Sequence, residues 1–503
     1  MSVYRERRLD PVLRVADVRA LESRFPHVPL MERAGAAAAE VARNLALDRA
    51  RPIVVLAGPG NNGGDGFVVA RLLKEAFFDV AVVFRDDVAK LPNDAAAAHS
   101  RFAAAGGTLL DAPPPNPAGL IVDALFGIGI KRALAHRHAE LVEWANRQQA
   151  PRLALDVPTG LNADTGIARA PVIRAHATAT FFALKPGHLM AEGPDLCGAV
   201  SVHALNVDVE SDASVTGHAL AWSRLAAAMP EPLQRRERNA NKGTFGTLSI
   251  IGGADGMLGA TLIAGRAALR GGAGKVRIGA LAAARPAVDM SMPELMIDDA
   301  SALLTQAADA LVIGCGLGQS DHAIAVLRMA LEISVPIVLD ADALNLVAQH
   351  AELRASVRRR DAVTLATPHP GEASRLLSTS VAGVQHDRLA AAFSIARDLR
   401  AHVVLKGAGS VLAHPDGSFD VNASGNPALA IAGSGDALAG LIGAMLAQRI
   451  PAKDALRYAV CVHGAAADEL VKRGIGPVGV STDEIVAVAR DLINSASRQG
   501  QPD

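Results

Sequence analysis

Cysteine is scarce: Cys197, Cys315 and Cys461 lie far apart in 503 residues. No pair forms a CxxC and the count is odd, which argues against a disulfide framework and a structural zinc site and suits a reducing compartment. Aromatic residues make up only 3% of the chain, too few for base-stacking platforms. Net charge is nearly absent, with 50 Lys and Arg against 51 Asp and Glu. The clustered positive surface of a nucleic-acid binder is therefore not expected. The charged start MSVYRERRLDPVLRV runs into no apolar stretch, so no signal peptide is read and a cytoplasmic location is expected. Long uncharged apolar runs are missing too. The nearest approach, Pro427 to Ala447, carries several glycines and Asp436 near its middle. A charge at the centre of a spanning helix costs roughly 2.5–3.5 kcal/mol, so this stretch reads as a loop and a buried helix, and no membrane contact is expected.

What is present is a globular composition, 50% hydrophobic and 20% charged with 46 Gly and 27 Pro. At about 100–200 residues per domain, the length leaves room for two to four domains. Residues 9–50 read as helical. Short apolar runs then alternate with helical stretches: Pro52 to Ala57, Val80 to Phe84, Leu120 to Leu125, Leu153 to Val157 and Ala177 to Leu184. Such alternation predicts βαβ units around a parallel sheet buried on both faces. Residues 208–243 turn polar and Pro-rich, which places a boundary near Gly217 and divides the chain into 1–215 and 216–503. The second half repeats the α/β pattern, with runs at Thr247 to Ile251, Ala310 to Gly314, Pro336 to Leu339, Ala362 to Ala366 and Val403 to Leu405.

In the first half, Gly58 to Gly63 fits G-x-G-x-x-G between a strand and a helix, the pattern of a dinucleotide loop. Asp86 and Asp87 end the next strand, where a ribose-binding acid would sit. The plain alternative is a Gly/Asn turn. Yet Asn61, Asn62 and Asp65 put side-chain oxygens into that loop, and Asp123 and Asp156 end two further strands. Converging amide, carboxylate and hydroxyl oxygens suit a hard cation, although a single strand-end Asp is as readily a helix cap.

The strings LMERAG (30–35), GPGNNGGDG (58–66), DALFGIG (123–129), LDVPTGLNADTG (155–166) and TFFALKPG (180–187) resemble the NAD(P)H-hydrate epimerase domain, a Rossmann-like three-layer sandwich, over nearly all of 9–210. The resemblance implies that Asn61, Asn62, Gly63, Gly64 and Asp65, with Gly127, Ile128, Gly129, Ile130, Lys131, Arg132 and Ala133, contact the hydrated nicotinamide nucleotide. It implies that Asn62, Asp123 and Thr159 bind K+, and that Asp156 touches substrate and transfers protons. The family more often has Ser at Thr159; the hydroxyl survives. Epimerising a carbon that bears a hydroxyl beside a ring nitrogen can proceed by ring-assisted loss and return of water, which needs an acid/base and stabilised charge.

In the second half, Gly433-Ser434-Gly435-Asp436 opens a long apolar helix. Backbone N–H groups there make an anion hole, and Asp436 can act as a base toward a hydroxyl beside a transferring phosphoryl group. The plain alternative is a charge complementing the helix dipole. Lys406-Gly407-Ala408-Gly409-Ser410 follows a strand and offers donors to a nucleotide without being a Walker A loop. His369 lies on a Pro-bracketed loop, and Asp340 and Asp342 can orient metal or phosphate groups.

With NKGTFG (241–246), IIGGADGMLGA (250–260), GCGLG (314–318), LDADALN (339–345), TPHPGEASRLL (367–377), VLKGAGS (404–410), GNPALAIAGSGDALAG (425–440) and HGAAAD (463–468), these residues resemble the ADP-dependent NAD(P)H-hydrate dehydratases, which have a ribokinase-like three-layer fold. The resemblance implies contacts of Ala260, Gly318, His369 and Asp436 with the hydrated nucleotide, and of residues 406–410 and Gly435 with an adenine nucleotide. ADP, or ATP, is then a co-substrate, accompanied by Mg2+, and NADHX and NADPHX are the small-molecule substrates. A homo-oligomer is expected. Two positions depart from the family: Ala432 stands where Gly is usual and Asn241 where His is. The rival readings are a ribokinase-type kinase with an accessory domain, an NAD-dependent dehydrogenase, and a non-catalytic nucleotide-binding module.

Overall fold

In the computed structural model, which describes residues 9–130, 133–209, 212, 215–234 and 236–499, the short apolar runs become buried strands. Asp10–Gly217 forms one compact unit and His218–Asp503 the body of the other.

In the first unit, the strands run in the order Leu109–Leu110, Val80–Phe84, Ile53–Ala57, Leu120–Ala124, Arg152–Leu155, Ala177–Phe181 and Ala199–His203. Every pairing is parallel. The chain starts in the middle, builds outward to one edge, then returns to build the other. The order therefore reverses between Ile53–Ala57 and Leu120–Ala124, whose register sets Leu56 beside Asp123. Open α/β sheets bind ligands at such a reversal, beyond the carboxyl ends of the strands. The helical reading of 9–50 holds as helices Val15–Ser23 and Leu30–Leu45, but Asp10–Val12 is extended.

In the second unit, the order is Phe419–Asn422, Val411–Ala413, His402–Leu405, Thr364–Ala366, Ile337–Leu339, Ala310–Ile313, Thr247–Gly252, Lys275–Ala280 and Met296–Asp299. Pairing is parallel from His402–Leu405 onward. The first two strands form an antiparallel hairpin joined to that edge. The reversal lies between Thr247–Gly252 and Ala310–Ile313. Helix Ser434–Ala447 is buried along nearly its whole length, which explains its apolar composition. It packs on helix Leu258–Arg270 so closely that a β-carbon at Gly440 would lie 2.1 Å from the Ala264 carbonyl oxygen. Among the described residues no helix is long and apolar enough to cross a membrane.

Candidate active sites

Helix Asn61–Glu75 follows the Ile53–Ala57 strand, with Gly60 as its N-cap. A β-carbon at Gly63 would stand 1.9 Å from the Gly58 carbonyl oxygen, so the turn closes on its own helix only with glycine there. Asn61 is exposed, Gly63 and Gly64 are buried, and Asn62 and Asp65 are half-buried. Spaced i, i+3, the last two share a helix face.

Across the reversal, Asp123 is fully buried. Its Oδ2 accepts from the Thr159 N–H at 2.8 Å, and its Oδ1 takes the Thr159 hydroxyl at 2.7 Å and the Leu125 N–H at 3.3 Å. Thr159 Oγ1 accepts from the Phe126 N–H at 3.0 Å. Burial pushes the Asp123 carboxyl up to about 6, against the pull of these hydrogen bonds, with no basic partner among the described residues.

Asp156 follows the Arg152–Leu155 strand at φ 64°, a left-handed conformation that a non-glycine residue adopts only when its surroundings enforce it. The enforcement is visible. Lys185 Nζ donates to Oδ1 at 2.6 Å, the Thr180 hydroxyl to Oδ1 at 3.1 Å and the Ile128 N–H to Oδ2 at 3.2 Å, while His188 Nε2 lies 2.9 Å from the Asp156 carbonyl oxygen. Burial raises the Asp156 carboxyl, but Lys185, with help from His188 and the Ile128 N–H, holds it below the ordinary carboxylate range. Asp65 moves the other way: burial and the charges of Asp156 and Glu22 push it well up. Two neighbouring carboxyl groups driven apart in this manner divide into a proton holder and a proton acceptor.

The loop after Asp123 joins these groups. A β-carbon at Gly127 would lie 3.0 Å from both Asn62 Oδ1 and Asp156 Oδ2, so glycine lets the amide and the carboxylate meet across it. Asn62 Nδ2 is buried without a hydrogen-bond partner, a donor left for something the protein does not itself supply. Ile128, Gly129 and Ile130 continue this turn; Ala133 is exposed. Lys131 and Arg132 lie outside the described residues. One sequence reading needs correction. Asp86 does not wait for a ribose: it takes Arg137 and, at 2.8 Å, His138 Nε2, while Asp87 caps a short turn through the Ala89 N–H at 3.0 Å.

In the second unit, Gly433 at φ 85° starts helix Ser434–Ala447, a left-handed turn glycine makes without strain. Asp436 is half-buried in the first turn. Oxygens of Asp436 and Asp340 and the Cys315 sulfur lie within 4.8 Å of one another. Burial and the Asp340 charge push Asp436 up to about 6, opposed by Cys315 and Lys406. Asp340 itself is 1% exposed and ion-paired: the Thr367 hydroxyl and Lys406 Nζ each reach Oδ1 at 2.8 Å. A β-carbon at Gly435 would lie 3.2 Å from Lys406 Nζ, so the Lys406 ammonium abuts the helix start. Lys406, Gly407, Ala408, Gly409 and Ser410 form an open loop, tied by the Ser410 hydroxyl to the Gly407 carbonyl at 3.1 Å. Beneath it the buried Arg388 donates to the carbonyls of Leu405 at 3.1 Å and Gly409 at 3.4 Å.

Ala260 is half-buried in the first turn of helix Leu258–Arg270. Gly318 donates its N–H to Asp342 at 2.9 Å, which gives Asp342 a loop-fixing task. His369 caps helix Pro370–Leu376: its Nδ1 accepts from the Gly371 N–H at 2.9 Å, and Glu372 returns the bond by accepting from the His369 N–H at 2.8 Å. The cap leaves the ring 52% exposed. Ala432 is exposed and its carbonyl accepts from the Thr482 hydroxyl at 3.2 Å. Three buried groups near these centres, Lys185, Arg388 and His463, receive no role from the sequence; Lys185 and His463 lie within the TFFALKPG and HGAAAD strings, whereas Arg388 lies in none, because a lone charge in a helical string reads as solvent-facing.

Residues 28–187 match the family model of the YjeF-related protein N-terminus, and residues 248–488 match that of NAD(P)H-hydrate dehydratase. The bifunctional NAD(P)H-hydrate repair enzyme Nnr of Escherichia coli strain K12 is 39% identical over 92% of this chain and 89% of its own length. The chain belongs to the family of bifunctional NAD(P)H-hydrate repair enzymes. The Coxiella burnetii member is 36% identical over 98% of this chain and 99% of its own. A crystal structure of ADP/ATP-dependent NAD(P)H-hydrate dehydratase from Bacillus subtilis, co-crystallized with ATP/Mg2+, is 29% identical with a TM-score of 0.47, covering 55% of this chain and 97% of that one. Membership in this family sets aside the accessory-domain kinase, dehydrogenase and non-catalytic readings.

Proposed function

We propose that residues 1–215 interconvert the two epimers of hydrated NADH and NADPH, and that residues 216–503 use ADP, or ATP, to dehydrate the S epimer. The placement of Asp436 carries the reading: a carboxyl raised by burial stands at a glycine-opened helix start, with the Lys406 ammonium against Gly435. A phosphate meets the helix N–H groups and Lys406. Asp436 takes the proton of the hydrate's hydroxyl as its oxygen forms a bond to the terminal phosphorus of ADP, and the bond to AMP breaks. The ring nitrogen's electron pair then forms a C=N bond as the C–O bond breaks and inorganic phosphate leaves with that bond's electrons, and transfer of a proton from the adjacent ring carbon to the departing phosphate restores the dihydronicotinamide. Phosphate leaves far more readily than hydroxide. Mg2+ would enter with the nucleotide phosphates, whose charge it offsets.

In the first unit, Asp65 in its protonated form donates to the departing hydroxyl, and ionised Asp156, held by Lys185, receives a proton when water returns to the other face. Asn62, Asp123 and Thr159 would hold K+. The fit rests on Asp123, a buried carboxylate without a cationic partner among the described residues, and on a donor set of neutral and singly charged oxygens unlike a dense calcium cage. Bound there, K+ offsets the Asp123 charge.

The direct test is incubation with mixed NADPH-hydrate epimers, following NADPH absorbance. With ADP, both epimers should be consumed to completion; without it, none should be. Nucleotide consumption without NADPH release would overturn the reading. Exchanging K+ for tetramethylammonium should slow epimerisation at least tenfold and leave dehydration of the pure S epimer nearly unchanged. Equal epimerisation rates in the two salts would remove the ion from the scheme.

A further inference from the structure

Arg388 opens helix Arg388–Leu399 and is 2% exposed. Helix N-termini favour acidic groups, and its helix neighbours Leu389, Ala392 and Ile395 are buried and apolar. Neither the helix dipole nor packing therefore calls for a guanidinium here. Among the described residues no acidic side chain pairs with it. Asp387, its neighbour in the chain, is turned to the Ala390 N–H at 2.9 Å. Burial pushes the guanidinium down only to about 10, so at neutral pH it is a buried cation, far costlier to keep than an apolar side chain of its size.

What holds it is the backbone of the 406–410 loop. Nη1 donates to Gln385 Oε1 at 2.8 Å, and Nη2 reaches the carbonyls of Leu405 at 3.1 Å and Gly409 at 3.4 Å, at the two ends of the loop. A β-carbon at Gly407 would lie 2.7 Å from Nη1, so the guanidinium rests directly against that glycine. The C=O and N–H of a trans peptide point in opposite directions. The Leu405 bond thus aims the Lys406 N–H away from Arg388, where it meets the Pro368 carbonyl at 2.9 Å. The Gly409 bond does the same to the Ser410 N–H, which among the described residues bonds to no other group of the protein.

We propose that Arg388 is the positioning residue of the nucleotide loop: by fixing the Leu405 and Gly409 carbonyls it keeps the Ser410 N–H turned out as a donor to the phosphates of ADP. This rests on the reading of residues 406–410 as the nucleotide loop. Arg388 touches no reacting atom, so it acts on nucleotide affinity and not on proton transfer at Asp436. Lysine replaces it only in part, because an ammonium keeps the charge but lacks the planar fork.

The test uses the full chain with Arg388→Met and Arg388→Lys, and with Ala408→Asp on the exposed part of the loop. Arg388→Met should raise the KM and Kd for ADP about tenfold, weaken inorganic pyrophosphate equally, and leave kcat at saturating ADP unchanged. Arg388→Lys should lose about threefold, the fork being gone and the charge kept. A merely structural arginine would lower Tm and the active fraction with the KM for ADP unchanged, and that result in Arg388→Met would overturn the proposal. Should Arg388→Met fail to fold, an unchanged KM in Arg388→Lys would overturn it. Ala408→Asp sets a carboxylate in the loop and should weaken ADP at least about tenfold by like-charge repulsion. Unchanged ADP affinity there would overturn the nucleotide loop and this role together. Weakened ADP there, beside unchanged affinity in the Arg388 variants, would overturn this role alone.

Discussion

Replacing Asp436 by Asn is expected to lower dehydration turnover by about 10²–10⁴-fold, the usual cost of a lost general base, while ADP titrates almost as before. Asn keeps the shape and loses the proton acceptor. A pH signature should accompany it. The base works ionised, and its carboxyl lies at about 6 in the free protein. kcat/KM should therefore be flat above that pH and fall about tenfold per unit below it. Stability runs the opposite way. A carboxyl raised on folding binds its proton more tightly in the native state, so its contribution is present at low pH and is lost as pH rises through about 6. Asp436→Asn should then raise Tm slightly at neutral pH. A mere dipole-complementing charge predicts near-normal turnover and a small loss of stability. Rates, ADP titration and thermal melts on this one variant separate the two roles, and retained turnover would sink the catalytic one.

Asp156→Asn should cost epimerisation a similar 10²–10⁴-fold and leave dehydration of the pure S epimer untouched. Unlike Asp436, Asp156 sits in a buried ion pair with Lys185. Breaking a buried pair strands the remaining charge and destabilises by about 3–5 kcal/mol. Asn still offers Lys185 an oxygen, so the loss should fall toward the lower end. The parent's acid behaviour follows from the direction of the Asp156 shift. A carboxyl held low on folding contributes stability above its unfolded value and loses it as pH falls through the folded one. The first unit should accordingly weaken in acid. Normal epimerisation by Asp156→Asn would remove it as the proton-transfer group.

Where the fold was legible, the reason is burial on both faces. Ile53–Ala57, Leu120–Ala124 and Ala310–Ile313 are fully buried, and their apolar runs announce it. Lys275–Ala280 and Met296–Asp299 do not read that way, because they approach an edge and keep residues in solvent. The Val411–Ala413 and Phe419–Asn422 hairpin hides in runs too short to stand out, and a repeating βαβ pattern gives no hint of an antiparallel pair. The glycine and strand-end carboxylate positions show in the string, because glycine and aspartate at strand ends are rare enough to notice. Lys185 and Arg388 do not. Their roles depend on being buried, and burial of a charge is decided by partners distant in the chain, such as Asp156 for the first and Gly409 for the second.

The contact between Gly440 and the Ala264 carbonyl oxygen has a consequence for the spacing of the second unit's site groups. The helix that begins near Ala260 and the one that carries Asp436 touch backbone to backbone at that point. Their spacing cannot shrink further, and any side chain at 440 would act as a shim that widens it. The separation between Ala260, expected to seat the hydrate, and Asp436, expected to take its proton, is thereby given a lower limit by this crossing.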